Sequence, residues 1–164
     1  KGYLYKNEKE PKALTQIFDF YNNSDYSDRV TTIFLYYSEQ LDLPKFAIEP
    51  KSSFKKLGNL FNSTEWSEVN RDFDKDFLVS SEDLNYMRMM ITMQFANVVN
   101  RLGEFTIEGI EDFLVIYKKS SRVDIVDMDN VYDDGLDLID IIINDHSNEL
   151  IWVVSNLTCT IRSD

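Results

Sequence analysis

Apolar residues run continuously or alternate through the first third of the chain, then switch to steps of three and four. The stretch "ALTQIFDFYN" (13–22) sets Leu14, Ile17, Phe18 and Phe20 in a β-prone aromatic run. "NNSDYSD" (22–28) is a polar cluster whose side chains cap their own backbone, the chemistry of a turn. "VTTIFLYYS" (30–38) is β-branched and aromatic throughout. A strand of that kind is buried on both faces or sits centrally in a sheet. Two long strands around a polar turn predict a β-hairpin.

"LPKFAIEP" (43–50) alternates between two of the three prolines. Phe46 and Ile48 fall on one face and Lys45, Ala47 and Glu49 on the other. Pro44 and Pro50 have no N–H for a ladder, so they bound a short strand. Its rival reading is an exposed extended recognition peptide. Ser52 or Ser53 then offers a cap for a short helix over 53–61 carrying Phe54, Leu57 and Phe61, with Gly58 weakening it.

A long amphipathic helix is predicted over 82–102. Ser80 stands three residues before Asp83 at capping-box spacing, and Leu84, Met87, Ile91, Phe95, Val98 and Leu102 form one apolar stripe. Gly103 is placed to end it. Met87 and Met90 suit either core packing or an adaptable binding surface, with packing the better fit to the spacing. "FTIEGIEDFLVIYKK" (105–119) predicts a hairpin that turns within "EGIED", with Phe105 and Ile107, then Phe113, Val115 and Tyr117, alternating. A third helix over 131–144 carries Val131, Leu138, Ile139, Ile142 and Ile143, and Gly135 in it either permits close packing or weakens it. The tail "NELIWVVSNLTCTIRSD" reads as a last strand or as a continuation of that helix, and its β-prone Ile151–Val154 run favours the strand.

The composition narrows the function classes. The chain of 164 residues is 43% hydrophobic and 13% aromatic, enough for one well-packed domain. Its 17 basic and 29 acidic residues give a net charge of −12, which repels phosphate backbones and excludes nucleic acid as a partner. One cysteine, Cys159, excludes an internal disulfide, and one histidine, His146, lies in the polar stretch "NDHSN" without a triad around it. The acidic string Asp124, Asp127, Asp129, Asp133 and Asp134 fails the EF-hand template, because Tyr132 and Leu138 stand where Gly and Glu are needed. A loose cation site remains an alternative to helix capping by Asp127 or Asp129. No Gly-rich phosphate loop is present, and no catalytic, cofactor or metal-ligating residue is assigned. No apolar run is long enough to span a bilayer. The chain opens Lys-Gly without Met and reads as a fragment excised from a longer parent.

The succession "IFDFYNN…TTIFLYYSEQLDLPKFAIEP" resembles the hallmark of an uncharacterised family of bacterial membrane proteins. Ile17, Phe18, Asp19, Phe20, Tyr21, Thr32, Leu43, Pro44, Phe46, Ile48 and Pro50 carry the resemblance, and Lys51 departs from it where an acid is usual. "FDKDFLVSSEDLNYMRMMITMQF" is similar to a second uncharacterised membrane-anchored family at Phe73, Lys75, Phe77, Val79, Ser81, Asp83, Arg88 and Thr92. The resemblances span about 13–119 and imply transmembrane helices upstream and a soluble domain at the membrane, read as cytoplasmic. They supply no catalytic motif.

Together these readings predict one α+β domain over 1–164, with a core over about 13–145 and a C-terminal extension over 146–164. A mainly antiparallel sheet of six or seven strands has the long helix packed on one face, with two shorter helices. The functional expectation is a membrane-tethered, non-catalytic interaction or scaffold domain with an unknown protein partner. A ligand- or lipid-binding sensor with an apolar pocket between long helix and sheet is the alternative.

Overall fold

The computed structural model describes the backbone of residues 2–5, 13–24, 27–54 and 68–160, and the side chains of 13–21, 30–52 and 68–144. Its strands are β1 (Gly2–Tyr5), β2 (Leu14–Ser24), β3 (Ser27–Tyr37), β4 (Leu43–Pro50), β5 (Phe77–Ser81), β6 (Thr106–Glu111) and β7 (Phe113–Tyr117). They form one antiparallel sheet in the order β1-β2-β3-β7-β6-β4-β5. The helices are α1 (Lys51–Phe54), α2 (Leu84–Met90), α3 (Met93–Leu102) and α4 (Ile125–Thr160). The α+β class and the antiparallel sheet are as the sequence predicts.

The hairpin β2–β3 is longer than its polar linker suggests. Pairing continues to Ser24↔Ser27, so most of "NNSDYSD" lies in strands. Two strands were not foreseen. β1 pairs with β2 at one edge, and β5 pairs with β4 at the other.

The fenced strand sits in the sheet as a core element. Phe46 and Ile48 are buried, while β4 pairs with β6 on one side and β5 on the other. The β4–β6 register slips between Leu43 and Phe46, so Pro44, which has no N–H to donate, falls in the bulge. Phe46 lies over Gly109, its register partner, where a Cβ would come within 2.2 Å of the ring. Gly109 is therefore a strand residue that makes room for an aromatic ring. The β6–β7 turn is instead Glu111–Asp112, with Glu111 at φ 52°.

The helices differ most from expectation. No single helix spans 82–102, because Ile91 and Thr92 leave the helical path and Thr92 caps α3 by accepting the Phe95 N–H at 3.3 Å. A β-branched pair with a hydroxyl that competes for a backbone donor is a natural break. The apolar stripe survives it, with Met87, Ile91, Phe95, Val98 and Leu102 buried and Leu84 half-buried. The cap of α2 is Asp83, not Ser80, and accepts from the Asn85 and Tyr86 N–H groups. α1 starts at Lys51, ahead of both serines, and residues 55–67, which include Leu57, Gly58 and Phe61, lie outside the described residues.

α4 starts at Ile125, six residues before the predicted 131, and runs through the tail that reads as a strand. Ile151–Val154 are β-prone individually, but they continue a helix already nucleated upstream, which needs one more hydrogen bond per residue rather than a new sheet edge. Asp127 therefore falls in the first turn and Asp129 beyond it, so neither is the cap. Gly135 permits close packing. A Cβ there would lie 2.1 Å from Tyr36 Oη, and that hydroxyl donates to the Val131 and Tyr132 carbonyls at 3.2 Å each. Burial, then the charges of Tyr132, Asp133 and Asp134, hold the Tyr36 phenol well above its usual pKa.

Candidate functional site

The strand alternation assigns each side chain to a face. One face carries Ile17, Phe34, Tyr36, Leu114, Ile116, Ile107, Ile48 and Val79, all buried with the apolar sides of α2, α3 and α4. That face and those helices are the core. The other face carries Leu14, Phe18 and Phe20 from β2, then Ile33, Leu35 and Tyr37 from β3. Phe113, Val115 and Tyr117 continue it on β7, and Ile110 on β6. No described helix lies across it.

Four large apolar residues on this open face are substantially exposed: Leu14 at 54%, Phe20 at 52%, Ile110 at 45% and Phe113 at 37%. Leu14, Tyr37, Phe113 and Ile110 form one row across four strands, since each is the register partner of the next. The Tyr37 and Phe113 rings meet within it at 5.2 Å between centroids. The alternation of Phe113, Val115 and Tyr117 read from the sequence holds, and it places them on the open face, while Leu114 and Ile116 face the core. An all-apolar strand hides which face is covered, because both read alike.

Toward β6 and β4 the open face turns polar. Glu49 is 8% exposed rather than solvated, and Lys119 Nζ pairs with it at 2.6 Å. Tyr117 Oη donates to Glu108 Oε1 at 2.6 Å, and burial followed by that bond raises the phenol above its usual pKa. Thr106 Oγ1 is buried without a hydrogen-bond partner among the described residues. At the strand ends near Phe113 stand Glu39, Asp42, Glu111 and Asp112. Loss of solvent around the ring, then the charges of Glu39 and Asp112, hold Tyr37 above its usual pKa.

Several residues of the two family-like patterns serve the fold, while Phe18 and Phe20 lie on the open face. Asp19 accepts from Thr32 Oγ1 at 2.8 Å and pairs with Arg122 at 2.9 Å, and Thr32 Oγ1 accepts the Val123 N–H at 3.1 Å. This network pins the lead-in of α4 to the sheet. Phe73 and Phe77 stack at 4.9 Å, Asp83 caps α2 and Thr92 caps α3. The acidic string does not gather. Among the described residues no group of three or more His, Cys, Asp or Glu is placed to hold a metal ion. Asp134 and Asp137 instead receive Arg101 from α3, at 2.6 and 2.7 Å. The side chains of His146 and Cys159 lie outside the described residues.

Grooves of about 360 and 330 Å³ flank the Arg101 bridge, and one of about 500 Å³ lies beside Pro50, Lys51 and Phe77. Polar side chains predominate in the first two, and the third lies between the C-terminal end of α3, at Asn100 and Gly103, and the β4–β5 edge of the sheet. Among the described residues no helix is long and apolar enough to cross a membrane. Comparison with protein-family models, curated proteins and solved structures finds no match to this chain.

Proposed function

We propose that this chain is a protein-interaction domain with no chemistry of its own, which its parent holds at a membrane and which docks a protein through the open sheet face. One observation carries the reading. β3 and β7 are apolar on both faces, the pattern of strands covered on both sides, yet the described helices cover only one. Contiguous exposed apolar surface rimmed by polar groups is the usual mark of an interaction site. The likeness of 17–50 and 73–92 to membrane-anchored bacterial families supports the tether. The sensor alternative needs an apolar pocket between the helices of 82–102 and the sheet, and the groove that lies there, beside Pro50, Phe77 and Asn100, is lined also by Lys51, Ser52, Lys75 and Asp76.

The test is the full-length protein carrying Leu14→Ser, Ile110→Ser and Phe113→Ser, in cells whose own gene is deleted. The three residues are 37–54% exposed, and thermal melting of the variant checks that the domain keeps its fold. It should fail to restore the function lost on deletion. A variant that restores it fully would remove the open face from the account.

A further inference from the structure

The open face is bounded by charge of one sign at one end. Glu39 follows β3, Glu111 and Asp112 turn β6 into β7, and the Ser38 N–H donates to the Asp112 carbonyl, which brings these acids beside one another. The cations described around the opposite end, Lys118, Lys119 and Arg122, are each held by a carboxylate, Glu104, Glu49 and Asp19. Lys45 stands on β4, outside the apolar part of the face.

The size and charge of the face limit what covers it. Four strands and three side-chain rows span about 400 Å² of sheet plane at ordinary β spacing. That is about half of the roughly 800 Å² per partner in a standard protein interface. A second copy would also bring −12 against −12. The helices on the core face show what this sheet accommodates, an amphipathic helix laid across its strands.

We propose that the occupant of the open face is a cationic amphipathic helix of a partner protein. Its apolar stripe lies on Tyr37, Phe113 and Ile110, and its lysines or arginines lie over Glu39, Glu111 and Asp112. This rests on the reading of the open face as the docking surface. It goes further by fixing the sign of the partner's charge.

The experiment titrates the folded 1–164 chain into a labelled Leu/Lys amphipathic helix of about 18 residues, long enough to cross the face. A Leu/Glu helix of the same pattern serves as control, and anisotropy is read at about 0.15 M salt, where exposed charges more than about 8 Å apart are screened. Binding of the Leu/Lys helix is expected. It should weaken about thirtyfold or more with Ile110→Ser and Phe113→Ser, the scale of one hot-spot loss. Glu39→Lys, Glu111→Lys and Asp112→Lys together should weaken it about tenfold, through charge reversal at the rim. Melting curves confirm that each variant is folded. Equal binding of the Leu/Glu helix, lost in the Ile110→Ser and Phe113→Ser variant, would overturn the charge inference and leave the docking face standing. Leu/Lys binding indifferent to that variant would overturn both. Absence of Leu/Lys binding would overturn the inference.

Discussion

Replacing Gly135 by alanine sets two physical effects against each other. In a helix interior the change favours folding by about 1 kcal/mol, since glycine is the poorer helix former. Here the added Cβ would stand 2.1 Å from Tyr36 Oη, 2.2 Å from its Cζ and 2.7 Å from its Cε2. No van der Waals contact tolerates that, so the ring or the helix must shift. Overpacking of this kind costs about 1–3 kcal/mol, and a displaced Tyr36 hydroxyl forfeits about 1 kcal/mol of hydrogen bonding. The packing terms win, and Gly135→Ala should destabilise by about 1–3 kcal/mol. A loss of 2 kcal/mol lowers the melting temperature by about 4–8 °C in a chain of this size. Urea and thermal unfolding followed by circular dichroism measure it. Tyr36→Phe should not rescue the variant, because the clash with Cζ remains. A Gly135→Ala chain as stable as the parent would refute the close packing of α4 on β3.

Phe46→Ala should cost about 3–5 kcal/mol in urea unfolding, the usual range for a buried aromatic, and a loss under 1 kcal/mol would mean the ring is not core. Ile91→Asp should leave no cooperative transition, because it buries an unpaired charge at the α2–α3 break. Thr92→Ala should cost about 1 kcal/mol as a lost cap while Thr92→Ser retains most of it, and equal losses would show that the methyl, not the hydroxyl, matters. Tyr36 and Tyr117 both have folded pKa values above the ordinary tyrosine value of about 10. Their contribution is therefore complete below pH 10 and is lost above it as the unfolded chain ionises. The fall in stability above pH 10 should shallow in Tyr117→Phe by at most about 1.4 kcal/mol per pH unit.

Much of the architecture follows from local pattern. The hairpins, the fenced strand and the stripe from Met87 to Leu102 are legible because each has a clear period and punctuation. The misses have physical causes. The break at Ile91–Thr92 leaves the stripe in phase, so periodicity alone does not reveal it. Ile151–Val154 favour a strand locally, and the helix already running through Ile143 overrides them. β5 is short, and only its pairing with β4 makes it a strand. The open face was the least legible part. The aromatic richness of β3 and β7 was visible, but an apolar run cannot say which of its two sides a helix will cover. Glu49 reads as a solvent-side residue until Lys119, seventy positions away, closes on it.

The most direct test of the interaction account places a photo-crosslinking amino acid at Phe113 in the full-length protein, in the cells that make it. The same group at Met93 is the control, being 79% exposed but on the helical side of the domain. The account predicts a discrete crosslinked protein from position 113, absent from position 93, and lost when Glu111 and Asp112 are changed to lysine. Adducts of equal yield from both positions, or none from 113, would contradict it.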